Sequence, residues 1–194
     1  MSRRASVLFA ICLQLLVLIG CGDDPPEKEM QQAQGALDAA RAAGADKYAV
    51  DEYGAAQLAL AHAREAVAQR DYRLALNHAL DSRERAQNSA AQAADGLAAA
   101  RVEADRALTA ADAALAAADA RLRAAEAAKV ADKLLAEPRG TIDTAHTGVQ
   151  EARALFENGS YLDVPDSVRA ATAPLADAVR AIEAASAPPP RRRR

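Results

Sequence analysis

Between residues 104 and 125 the apolar positions fall on two interleaved rows. Leu108, Leu115 and Leu122 recur every seven residues, and Ala104, Ala111, Ala118 and Ala125 form the companion row. Alternating spacings of four and three make an a/d seam, the stripe that helices share in a coiled coil. An amphipathic core helix predicts almost the same burial. Alanine along one row lets neighbouring helices approach closely. Asp105, Asp112 and Asp119 repeat at the same interval and read as a solvated stripe.

Around this seam the pattern predicts helix almost throughout. One helix is expected over 27–43, closed by Gly44 in a left-handed cap. Asp51 is the expected N-cap of a second, running to about residue 69. Arg70-Asp71 forms a tight turn and Tyr72 begins a third helix. No proline occurs between Pro26 and Pro138, so the third helix is expected over 72–136, roughly 97 Å at 1.5 Å per residue. Gly96 is its one weak point, costing about 1 kcal/mol relative to alanine. Glu137-Pro138-Arg139-Gly140 is expected to end it. A fourth helix follows over 141–157, then a turn at Asn158-Gly159-Ser160. The last helix runs to about residue 185, with Pro165 in its first turn and Pro174 kinking it. Residues 63–72 and 152–161 echo one another at an offset of 89, each reading helix, short turn, tyrosine, helix. They are read as two helical hairpins separated by the long helix.

The predicted fold is therefore all-α: elongated antiparallel helical hairpins with a long central helix, coiled-coil-like. The expected divisions are a leader over 1–20, a linker over 21–29, a hairpin and long helix over 30–136, a C-terminal hairpin over 137–186 and a Pro/Arg tail over 187–194. Composition agrees. Of 194 residues 55 are alanine, aromatics make up 3% and tryptophan is absent. Alanine buries little apolar area per residue, so such a chain favours long helices in close contact over a core of bulky side chains.

The first twenty residues read differently. Ser2-Arg3-Arg4 is a short basic start, and an apolar run over 5–20 follows, interrupted by Ser6, Cys12 and Gln14. The run has the length of a signal-peptide core rather than a membrane span. It ends in Leu18-Ile19-Gly20-Cys21, which resembles the lipobox of bacterial lipoproteins. That resemblance implies cleavage before Cys21, a diacylglyceryl group on its sulfur and acylation of the new amine. Each buried methylene contributes about 0.8 kcal/mol, so three acyl chains hold far more firmly than one. Cys12 would leave with the leader, and the one remaining cysteine would be alkylated, which excludes disulfide and thiol chemistry. Gly22 in the position after the cysteine implies the outer membrane, facing the periplasm.

Charge narrows the partners. The whole chain carries a formal −3. Without residues 1–20 it has 22 basic against 27 acidic side chains, a net of −5, and without the four terminal arginines 18 against 27, a net of −9. Such a body repels phosphates, so nucleic acid is excluded as its partner.

Residues 39–49, Ala-Ala-Arg-Ala-Ala-Gly-Ala-Asp-Lys-Tyr-Ala, are followed by Tyr53 and later by Asp71-Tyr72. This stretch resembles domain-of-unknown-function family 4398, small helical proteins of bacterial envelopes that are often lipoproteins. The resemblance covers roughly residues 28–94. Val50 stands where the family usually has proline, and Arg70 where it usually has glycine. It implies an envelope helical module and supplies no reaction.

Candidate chemistry is sparse. His62, His78 and His146 are the three histidines, and none sits in a His-x-x-x-His spacing. They read as surface or boundary residues, with no metal site expected. There is no Gly-rich phosphate loop, nucleophile elbow or cysteine cluster, so the chain reads as a non-enzyme without a cofactor. Tyr48, Tyr53, Tyr72 and Tyr161, with Phe156, fall at expected hairpin corners, either as bulk that caps an alanine core or as a groove for a peptide, glycan or partner protein. Arg191, Arg192, Arg193 and Arg194 follow three prolines in an extended cationic tail suited to anionic surfaces. The expected partners are the membrane through lipid on Cys21, peptidoglycan or another envelope protein, and a second copy of the chain if the Leu/Ala seam closes between chains.

Overall fold

The computed structural model describes residues 24–187; Cys21 and Arg191 to Arg194, like the leader, lie outside them. The described residues are all-α, with no strand among them. The helices are α1 (Glu27–Ala42), a single turn α2 (Ala45–Tyr48), α3 (Val50–Ala68), the long α4 (Tyr72–Ala127), α5 (Asp132–Glu157), α6 (Val164–Thr172) and α7 (Leu175–Ser186), with a 3₁₀ turn at Tyr161–Asp163. The chain divides into two compact units between Ala94 and Asp95, inside α4. The division falls two residues before Gly96. Between Ala93 and Ala104 no side chain of α4 is buried.

The first unit packs α1, α3 and the first part of α4 around a core made almost entirely of alanine. Ala33, Leu37, Ala40, Tyr53, Ala56, Leu60, Ala63, Ala79, Ala86 and Ala93 share one buried cluster. Ala75, Ala79, Ser82, Ala86, Ser89 and Ala93 are buried on α4 at spacings of four and three. Serine is tolerated on that stripe because its hydroxyl is satisfied: Ser82 Oγ donates to the Ala56 carbonyl of α3 at 2.8 Å, and Ser89 Oγ to the Ala86 carbonyl at 2.9 Å. At the surface Arg64 and Arg83 both reach α1, at Gln34 and Gln32.

The second unit packs the rest of α4 against α5, α6 and α7. All seven residues of the Leu/Ala seam are buried here, in one cluster with Leu135, Ile142, Ala145, Val149, Val164, Val168, Leu175 and Ile182. The seam thus closes within the chain. Charged side chains border it: Arg153 pairs with Asp112, Arg139 with Glu126 at 2.6 Å, and Arg121 with Glu183 at 3.2 Å.

Three boundaries differ from the expected ones. The long helix stops at Ala127, and Pro138 lies inside α5 instead of ending its predecessor. A proline within a helix loses one hydrogen bond, but the Pro138 ring is buried and its unit is built around this face of α5. Asp51 does not cap α3. The chain inserts α2, then starts α3 at Val50 with Ala49 as N-cap. Asp51 and Glu52 occupy the first turn, where acids suit the helix dipole. Pro174 separates α6 from α7 rather than kinking one helix.

Three turns share one hydrogen-bond pattern. Asp71 N–H donates to the Ala66 carbonyl and Arg70 N–H to that of Val67; Val130 to Ala125 and Lys129 to Glu126; Ser160 to Leu155 and Gly159 to Phe156. This is the Schellman motif, which places its penultimate residue in the left-handed region. Arg70, Lys129 and Gly159 have φ of 61°, 60° and 80°. Asp71 then caps α4 by accepting from the Leu74 N–H at 3.0 Å.

The echo at an offset of 89 extends well beyond the ten residues that suggest it. Every one of the ten buried positions over 138–182 lies 89 residues after a buried position of the first unit, from Ala49/Pro138 to Ala93/Ile182. At an offset of 85, Ala33, Leu37 and Ala40 match Ala118, Leu122 and Ala125, and left-handed Gly44 matches left-handed Lys129. The change in offset is four residues, about one helical turn, so the inward face is kept. The units are two versions of one three-helix design, the first filled with alanine and the second with leucine, isoleucine and valine. The long helix does not stand between two hairpins: its first part is an arm of the first.

Candidate functional site

The expected aromatic corners resolve into three places. In the first unit Tyr53 is only 6% exposed and belongs to the core, with the Arg41 guanidinium 6.0 Å from its ring centre. Its ring caps the alanine interior and is not part of an open groove. Tyr48 is half-buried against the same cluster. Its Cδ2 would lie 3.3 Å from any Cβ added at Gly44, whose φ of 83° already favours glycine. Tyr72 is half-buried at the other end of α3, where the chain turns into α4.

Tyr161 sits in the second unit. Its ring packs edge-on against Phe156 with centroids 5.1 Å apart, and both rings lean on the core cluster. Beside them the surface is concave. Gly96, Ala98, Ala99, Ala100, Val102, Glu103, Arg106 and Leu162 border a shallow groove of about 640 Å³. Arg101, Val102, Asp105, Arg106 and Phe156 border an adjoining one of about 440 Å³. Val102 and Leu162 are 50% and 52% exposed, an apolar floor flanked by Arg101 and Arg106 and by the acids Glu103 and Asp105. Of the expected corner residues, Phe156 borders this surface and Tyr161 packs behind it on the core. Val102, Leu162, Arg101 and Arg106 escaped sequence reading, although one signal was available: Val102 is a β-branched apolar residue off the seam.

The three histidines separate into two environments. His146 faces Asp119 across α5 and α4, its Nε2 3.2 Å from Oδ2. His62 of α3 and His78 of α4 face each other, rings edge-on with centroids 5.4 Å apart. Several charged side chains form ordinary surface pairs. Arg85 lies between Asp81 and Glu52, and the hydrogen bond it donates to the Asp81 carboxylate holds its guanidinium above the ordinary arginine value. The hydrogen bond that Arg139 donates to Glu126 does the same for Arg139. No described helix is long and apolar enough to cross a membrane.

The described residues thus form two all-α three-helix units, with a small apolar groove on the second. Compared with family models, curated proteins and solved structures, it matches none.

Proposed function

We propose that this is a lipid-anchored, periplasm-facing structural or interaction protein of the bacterial cell envelope. The single observation that carries the reading is the basic, apolar leader closed by Leu18-Ile19-Gly20-Cys21. The resemblance of residues 28–94 to family 4398 supports it. So does the fit of an alanine-rich helical fold to a spacing or scaffolding role, with Arg191, Arg192, Arg193 and Arg194 as a cationic contact to peptidoglycan carboxylates.

Intact mass of the chain purified from bacterial membranes tests the anchor. The expected product begins at Cys21 and carries the added mass of its acyl chains, and Cys21→Ser leaves the leader uncut. A membrane-extracted chain with no fatty acid, or a Cys21→Ser chain processed as before, refutes it. For the tail, removing the four arginines should weaken sedimentation with isolated cell wall, and salt should do the same.

The groove at Val102 and Leu162 favours a second reading, a binding module for an envelope peptide or protein. In that case Leu162→Asp abolishes capture of the partner while leaving the helix content intact. Retained capture rules out the groove.

A further inference from the structure

We infer that His62 and His78 form a two-histidine site for a borderline divalent transition-metal ion such as zinc. The two residues are placed together by the hairpin. Each lies eight positions from Arg70, the left-handed centre of the turn between α3 and α4, so antiparallel pairing brings them level. Small buried residues hold the two helices close on either side: Ala59 and Ala63 on α3, Ala75 and Ala79 on α4. One turn further along, the Ser82 hydroxyl is bonded to the α3 backbone at Ala56. The helix separation at the histidines is therefore built into the unit before any ion arrives.

The ring spacing fits a shared ion. An imidazole nitrogen binds zinc at about 2.0–2.1 Å, so with roughly 1.1 Å from nitrogen to ring centre each centroid stands about 3.2 Å from the metal. A tetrahedral angle then sets the two centroids about 5.2 Å apart, and a square-planar angle about 4.5 Å. The observed separation is 5.4 Å with the ring planes 61° apart, close to the tetrahedral spacing.

The ligands are also accessible and uncommitted. His62 is exposed and His78 half-buried. Among the described hydrogen bonds the histidine contacts are those of His146 with Asp119. Neutral imidazole is a common protein ligand for metals and suits zinc and copper. The carboxylates one turn along each helix are already engaged, Glu65 by Gln69 and Asp81 by Arg85. No group of three or more histidine, cysteine, aspartate or glutamate side chains suited to a metal occurs among the described residues. The remaining positions on the ion therefore fall to water or to an exchangeable ligand, as in zinc sites that keep coordination open.

Titration of zinc chloride into the full chain by calorimetry tests this. The chain is untagged and carries Cys12→Ser and Cys21→Ser, so that no thiol competes. One equivalent is expected. His62→Ala and His78→Ala should each weaken binding by about tenfold or more, since losing one of two protein donors costs at least as much as disturbing an outer-shell partner. His146→Ala should leave it unchanged. Cobalt in place of zinc should give the visible absorption of a tetrahedral ion in the parent and not in the two variants. Circular dichroism of the variants confirms that the helices persist. The site is overturned by no binding, by binding that either single variant leaves intact, or by binding that is lost with His146.

Discussion

Gly148 and Gly140 lie eight residues apart on α5, and the same substitution to alanine should act on them in opposite directions. In isolation each change favours the helix by about 1 kcal/mol, because glycine loses more backbone freedom on folding. At Gly140 an added Cβ meets nothing within 4 Å, so that gain is kept. At Gly148 it would stand 2.7 Å from Ala171 Cβ and 3.5 Å from Ala171 Cα. Neither atom belongs to a flexible side chain, so α6 must move away from α5. Forcing an extra carbon into a packed contact costs about 1–3 kcal/mol, which outweighs the propensity gain. Gly148→Ala should therefore destabilise by up to about 2 kcal/mol, while Gly140→Ala stabilises by up to 1. Urea unfolding followed by circular dichroism separates the two, with midpoints moving in opposite directions. Ala171→Gly offers a further check. It removes the opposing Cβ, so the double variant Gly148→Ala/Ala171→Gly should be more stable than the sum of the singles, with a coupling of about 0.5–3 kcal/mol. The reasoning fails if Gly148→Ala stabilises like Gly140→Ala, or if the two changes simply add.

Other perturbations follow from the same geometry. Ile142 is 1% exposed in the second core, and Ile142→Ala should cost about 2–5 kcal/mol in denaturant unfolding. Arg70 and Lys129 hold positive φ without being glycine, a strain of about 1–2 kcal/mol that glycine relieves less its own entropy cost. Arg70→Gly and Lys129→Gly should thus each gain about 0.5 kcal/mol, and Gly159→Ala should lose stability; a gain from Gly159→Ala would contradict the turn assignment. Ser82→Ala should cost about 1 kcal/mol, since it removes a buried hydrogen bond between α3 and α4, and the loss should appear in thermal melting.

Much of the fold was legible along the chain because it depends on local rules. The rows over 104–125 predicted seven positions that are all buried, since a four-three spacing puts them on one face of any helix. Gly44 and Gly159 announced two of the turns. The end of α4 was not legible, because the Lys129 turn contains neither glycine nor proline, and Pro138 pointed to the wrong place. Both outcomes were decided by packing. A lysine can be driven into the left-handed region and a proline kept inside a helix when burial of the neighbouring leucines and isoleucines exceeds the local cost. The recurrence of one three-helix unit was likewise nearly invisible, because side-chain identity drifted from alanine to larger aliphatics while inward direction and turn geometry were retained. The turn at Arg70-Asp71 was expected, but the facing of His62 and His78 also needed the rotation of each helix about its axis, which packing sets. Contact between residues far apart in sequence is a property of how helices pair, and the sequence alone carries only the periodicity of each helix.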